Sequence, residues 1–405
     1  MTPAGRPSFP FRALLWLRHH LVPVLLALLL LRPLASILWL IDKPDVLDNV
    51  ARGWTTLNYF IGYDTGFGGR KLVGTVCRWL WGDAVGLGQI MAMATAASAL
   101  MLLLLGLFLW RALPVIDRRS LPLAAVVALY MVSPMSVLRY VQGHPAMSIG
   151  CMETYQIILV LVWLLLYLRH RGSVAYWAAT LATPLLGLLV HHTFMCTFMP
   201  LYVALAVADL RDGSSPAKRL LYGVAALLAG ALFVALWRFS TMNVGIDELY
   251  GRIEGKVSPG KEMLRVMYYV SNEDNRRWAF GTGGFTKAID FALMLLMMLP
   301  LVAVLWQPWV HGRRPVEALL SPAVTVTVLT LPIFVMATDY GRWWTCYFFC
   351  LVAALCARRD DPAVARNLER LRGWGGYIGT SCCCFLCGWQ RCMGAAPAVW
   401  RRRLR

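Results

Sequence analysis

Residues 58–71 read NYFIGYDTGFGGRK: a carboxylate, Asp64, is followed six positions later by a guanidinium, Arg70, and Gly62, Gly66, Gly68 and Gly69 surround them. Each residue type has a chemistry. A carboxylate within reach of a hydroxyl nucleophile takes its proton as a general base. An arginine fork holds a phosphate through charge-assisted hydrogen bonds, and glycine lets the backbone approach a ligand closely. The plainer reading is a solvated loop pair with turn-forming glycines. Asp48, close after Asp42 and Asp45, offers a second candidate base. Downstream, Arg139 and His144 stand in LRYVQGHP, His191 and His192 in LLVHHTF, and Asp339 and Arg342 in ATDYGRWW. The histidine pair also reads as packed rings capping a helix end, and Asp339 with Arg342 as an interfacial ion pair at a helix start. Arg342 ahead of Trp343 and Trp344 also suits an aromatic belt around a head-group site.

Hydrophobic elements must position these groups. The chain has 405 residues, of which 59% are hydrophobic and 15% charged, and its mean hydropathy is +0.59. Apolar runs cover 21–41, 86–110, 121–138, 150–168, 175–190, 193–209, 220–239, 288–306, 317–337 and 343–357. They predict an all-α polytopic membrane protein with about ten transmembrane helices over residues 1–357. The runs within 175–209 are short for two full spans and predict either two stubby helices or a re-entrant hairpin. The run 21–41 follows a basic N-terminus without a small-residue cleavage site, which predicts an uncleaved first span. Arg32 inside it is expected to turn into the bundle.

Basic residues set the topology. With the N-terminus inside, the inner loops carry Arg111, Arg118 and Arg119; Arg169 and Arg171; Arg211, Lys218 and Arg219; and Arg313 and Arg314. Every short inner loop is then basic, as the positive-inside rule requires, and both termini are cytoplasmic. The formal charge of +18 is therefore accounted for by topology, and no nucleic-acid partner is expected. The two long outer loops, 42–84 and 240–287, mix acids with bases. DNVARGWTTLNYF and RKLVGTVCRWLWG in the first predict interfacial helices lying on the membrane. The second reads as a small lid with turns at Pro259-Gly260 and Gly281–Gly284. This arrangement gathers the polar clusters at one membrane–water boundary, where ionisable groups usually face a partner or a cavity.

The order of features resembles the GT-C superfamily of polyprenyl-sugar-dependent glycosyltransferases and the related O-antigen polymerases: a first span, an acid-bearing outer loop with juxtamembrane helices, many short spans, and a second large outer loop. More narrowly, YDTGFGGRKLVG and TDYGRWW are similar to two motifs of a group of bacterial polytopic proteins, D-x-G-F-x-x-R-x-x-x-G and D-x-G-R-W. The likeness in organisation spans most of residues 20–357, and the sharp motifs cover a small part of it. His191-His192 departs from the His-Glu that the pattern would place before an aromatic residue, which leaves that position without an acid.

The resemblance implies a membrane glycosyltransferase at the periplasmic face of a bacterial inner membrane, taking a sugar from a polyprenyl-phosphate carrier. Asp64 or Asp48 would be the base, and the sequence does not choose between them. Arg70 and Arg342, with His144 or His191, would hold the phosphate, and His192 and Asp339 belong to the same cluster. No cofactor is required; a divalent metal would sit beside the acids, though no ligand spacing demands one. The partners implied are the lipid-linked sugar or oligosaccharide and the membrane lipids. A repeat-unit polymerase would need the same outer cations. A lipid-linked glycan transporter or flippase would instead line a path near the bilayer midplane with charge, where Arg32 is the one strongly charged residue expected.

The tail, 358–405, changes character. ARRDDPAVARNLERLRGW is a basic amphipathic helix candidate and RRRLR closes the chain, both suited to an anionic inner leaflet. CCCFLCGWQRC holds Cys382, Cys383, Cys384, Cys387 and Cys392 without a matching histidine, which favours reduced or lipidated thiols over zinc.

Overall fold

The computed structural model describes residues 54–133, 135–142, 150–213, 215–256, 260–269, 284–336 and 340–371, with positions 31 and 35. The expected first span, Arg32, Asp48, His144, Asp339 and the cysteine-rich tail lie outside the described residues. Every regular element among the described residues is helical.

The first outer loop supplies a short helical turn, Trp54–Tyr59, and α1 (Leu72–Trp81). The bundle continues with α2 (Leu87–Ala112), α3 (Leu121–Val132), α4 (Met152–Arg169), α5 (Val174–Val190), α6 (Met199–Arg211) and α7 (Pro216–Arg238). The second outer loop contributes α8 (Ile246–Ile253), and α9 (Gly284–Val310), α10 (Pro322–Met336), α11 (Tyr340–Ala357) and α12 (Pro362–Arg370) complete the described chain. Four helices are long and apolar enough to cross a membrane: α2, α4, α7 and the Phe291–Val310 part of α9. α3, α5 and α10 are shorter and equally apolar. The run expected to reach 138 stops at Val132 because Ser133, ahead of Pro134, is extended.

α11 is the hub, with every residue from Trp343 to Ala357 buried. Around it α2 packs on α4, α4 on α5, α5 on α7, and α6 on α10. α7 and α9 instead turn Leu227, Val234, Leu293 and Leu296 outward. Large apolar side chains on that outer surface are solvated by lipid at no desolvation cost.

Two polar devices explain how so apolar a bundle satisfies its backbone. Pro184 inside α5 has no N–H for the carbonyl of Thr180, and the Tyr202 hydroxyl donates to that carbonyl at 3.0 Å. At the end of α9, Asn367 of α12 donates to the carbonyls of Pro308 at 3.2 Å and His311 at 2.8 Å. The short pair expected over 175–209 resolves into two helices, α5 and α6, joined by a turn at His191 and one helical turn at Phe194–Thr197.

Opposite charges meet at the end of the bundle where α4, α6 and α11 finish. Asp209 accepts from the hydroxyls of Tyr167 at 2.7 Å and Tyr222 at 2.8 Å. Arg171 and Arg358 stand 3.4 and 3.5 Å from the same carboxylate, and Arg358 also reaches Asp212 at 2.5 Å. A buried carboxylate with this many donors is satisfied in full.

Candidate functional site

Two of the four glycines of the opening segment, Gly66 and Gly68, have a structural explanation in the second loop. Thr241 N donates to Phe67 O at 2.8 Å and Asn243 N to Thr65 O at 2.9 Å, so the first outer loop lies backbone to backbone against the start of the second. A Cβ on Gly66, whose φ is +127°, would lie 2.4 Å from Thr241 O, and one on Gly68 would lie 2.5 Å from Ser240 Oγ. The close approach expected for a ligand is thus made by the chain's own second loop. One apolar group seals the junction, Leu57 and Ile61 against Leu249, Ile253 and Leu264, and a second, Tyr59, Val73 and Cys77 against Ile90, Met152 and Val190, seats the first loop on the bundle. Residues 55–59 are consequently buried in this seam, not laid on a membrane surface. α1 keeps the amphipathic character expected of it, with Val73 and Cys77 buried and Trp79 84% exposed.

Arg70 closes the segment in a left-handed conformation, φ +66°, that a residue with a Cβ adopts at a cost of about 1 kcal/mol or more. Its Nε donates to His191 Nε2 at 2.8 Å. Lys71 follows, 2% exposed, with Nζ donating to Thr241 O at 3.0 Å. Both line a cavity of about 530 Å³, with His192 and Tyr268 on the polar side and Phe233 and Trp237 of α7 on the apolar side. The lining thus combines apolar side chains of α7 with two cations.

Burial governs the electrostatics here. It lowers the proton affinity of the Arg70 guanidinium, an effect that Tyr268 opposes, Arg342 adds to and Glu153 opposes. It brings Lys71 down to about 8 against the pull of Asp64. His191 is held well below the ordinary imidazole range by burial, then by Arg70, His192 and Arg342, and His192 falls to about 3 by burial and Arg70. Both rings are neutral, so Arg70 and Lys71 carry the charge of the cavity wall.

Arg342, from the first turn of α11, forms a buried ion pair through Nη2 with Oε1 of Glu153 in the first turn of α4. Trp343 and Trp344 are buried rather than belting the surface; Trp344 packs among Phe291, Phe334 and Phe348, and Arg342 lies 5.2 Å over the Trp343 ring. Arg139 approaches the same helix start, its Nη1 3.4 Å from Thr345 Oγ1. Gly341 leaves room for it, since a Cβ there would stand 2.7 Å from that Nη1.

Asp64 has a different setting. Its Oδ2 accepts from Arg78 of α1 and, at 2.8 Å, from Arg252 of α8, and it does not line the cavity. The carboxylate bridges the two outer loops.

Of the residues singled out from sequence, the structure joins Arg70 directly to His191, sets His192 beside them and brings Arg342 near enough to bias Arg70. Glu153 was not singled out, although an acid in the first turn of an apolar run is a costly group whose partner has to be sought. Tyr268 gave no signal: its hydroxyl donates to Asn58 Oδ1 at 2.7 Å across 210 residues. Among the described residues no three His, Cys, Asp or Glu side chains are grouped to hold a metal ion. No protein-family model, no curated protein and no solved structure matches this chain.

Proposed function

We propose that the protein is a polytopic membrane glycosyltransferase of GT-C type that moves a sugar from a polyprenyl-phosphate carrier to an acceptor hydroxyl at the outer face of a bacterial plasma membrane. The observation that carries this reading is the cavity, whose lining combines Arg70 and Lys71 with Phe233 and Trp237 of a helix long and apolar enough to cross a bilayer. A phosphate on a prenyl tail needs both: fixed cations for the head group and apolar surface continuous with the bilayer for the tail. Inorganic or nucleotide phosphate would need only the first.

The transfer balances as follows. The acceptor oxygen bonds to the anomeric carbon, and the bond from that carbon to the phosphate oxygen breaks. The polyprenyl phosphate departs with the electron pair, held by Arg70 and Lys71, and the acceptor proton passes to a carboxylate. Asp64 and Asp48 are the two candidates for that base, and Asp64, held beside the cavity lining by Arg78 and Arg252, serves only on release from both. The basic inner loops support ten crossings with both termini cytoplasmic, and four of the described helices are long and apolar enough to make one. The cavity lies at the ends of the helices, which favours transfer at the interface over a midplane path of the kind a flippase needs.

The test is reconstitution of the purified protein in nanodiscs with a polyprenyl-phosphate sugar and a hydroxyl acceptor, following release of polyprenyl phosphate. Release is expected to need both substrates and to fall by about a hundredfold or more in Arg70→Lys, which keeps charge and loses the fork. Absence of release with every sugar donor and acceptor offered, from protein that binds the lipid phosphate, would leave a binding protein or transporter.

A further inference from the structure

The two arginines near this cavity are held by chemically different partners. Arg342 faces the carboxylate of Glu153, which is 0% exposed, so its charge is compensated inside the protein. Arg70 faces an imidazole. Because the Arg70 Nε–H donates to His191 Nε2, that nitrogen is the one with the lone pair, and the ring proton lies on Nδ1. Two donors cannot share a contact. Of the two Thr193 groups near Nδ1, the hydroxyl oxygen at 2.7 Å therefore accepts the bond, and the backbone N–H at 3.1 Å does not share it. The histidine is fixed in turn by Gln156 of α4, whose Nε2 donates to the carbonyls of Gly187 at 3.0 Å and His191 at 2.8 Å.

We infer that His191 is the positioning residue of a lipid-phosphate site: a neutral acceptor that orients Arg70 without cancelling its charge, so that Arg70 and Lys71, and not Arg342, bind the phosphate. This rests on the cavity's proposed role in binding a prenyl phosphate. The geometry supports the division in three ways. Nη1 and Nη2 of Arg70 have no protein acceptor among the described residues, on a side chain that lines the cavity. Lys71 likewise bonds a carbonyl and no carboxylate. A carboxylate in place of His191 would compensate Arg70 as Glu153 compensates Arg342, and an anionic ligand would then have to displace it.

The experiment measures binding of farnesyl phosphate to the purified full-length protein in detergent, with farnesol and inorganic phosphate as controls for tail and head alone. The variants are His191→Gln, whose amide oxygen reaches where Nε2 stood, His191→Asn, whose shorter side chain does not, and His191→Glu. Wild type is expected to bind farnesyl phosphate well above either control. His191→Gln should stay within about threefold of wild type, while His191→Asn and His191→Glu weaken by roughly tenfold or more, as loss of a hydrogen bond to a charged group implies. Thermal midpoints are read alongside, since a purely packing role would make Asn and Gln alike in binding. Equal affinities for the Gln and Asn variants, or wild-type affinity in His191→Glu, would overturn the inference and leave the cavity's role standing. A wild-type protein that ignores farnesyl phosphate would overturn both.

Discussion

Glu153 and Arg342, 189 residues apart in sequence, meet as a buried ion pair between the first turns of α4 and α11. A pair so enclosed is unforgiving of losing one member, because the survivor is left charged in a low-dielectric setting. Glu153→Gln is expected to destabilise the protein by about 3–5 kcal/mol. The double variant Glu153→Met, Arg342→Met should recover most of that loss, since it removes both charges. Thermal unfolding in detergent measures both, and a silent Glu153→Gln would show the pair to be hydrated.

Asp64 divides two explanations cleanly. As a bridge between the loops it is worth about 0.2–1 kcal/mol per half-exposed ion pair, and Asp64→Asn and Arg252→Gln should then loosen the α8 region alike in hydrogen exchange. As the base, Asp64→Asn abolishes transfer while Arg252→Gln retains it. We expect the second outcome in turnover together with the first in exchange; equal turnover in the two variants would move the base to Asp48.

Lys71 makes ligand binding depend on pH. Burial lowers it to about 8 in the fold, from an ordinary value near 10.5. Between those values the unfolded chain holds a proton that the folded one has released, so stability rises with pH across that window, and the burial cost is present in full below it. A bound phosphate reverses the bias and raises the lysine again. Binding near pH 8 should therefore take up protons, and affinity should fall as pH climbs past about 8. Calorimetry in buffers of different ionisation enthalpy reads the uptake, and Lys71→Arg should flatten the pH profile.

Gly66 and Gly223 test the junction of the loops. Gly66→Ala strains a φ of +127° and drives a Cβ to 2.4 Å from a backbone oxygen, so a loss of at least about 1–3 kcal/mol is expected. Gly223, inside α7 with nothing within 4 Å of a Cβ, should gain up to about 1 kcal/mol on becoming alanine. Similar midpoints for the two variants would mean that the loops do not dock as described.

The helices were legible because apolar runs of this length have few other structures open to them, and the grouping of Arg70, His191 and Arg342 followed from counting those runs. The partnerships were less accessible. Glu153 is one acid that an average over an apolar run conceals. Phe67 with Thr241, and Asn58 with Tyr268, are contacts between loops, set by backbone shape and not by any residue pattern. Asp64 shows the converse: the spacing that made it a candidate base is also the spacing that sets it between Arg78 and Arg252, a bridge that no residue pattern discloses.

The knot of Asp209 with Tyr222 and Arg358 ties α7 to its neighbours at one extremity, whereas Trp237 stands at the other, 45% exposed. Just past Trp237 the chain is held as well, since Thr241 and Asn243 pair with the first outer loop, and Leu236 beside it is buried. A rod pinned at both ends does not swing. The face that α7 lends to the cavity is therefore set by the fold before any ligand arrives, so a ligand meets a finished surface and spends none of its binding energy on shaping one.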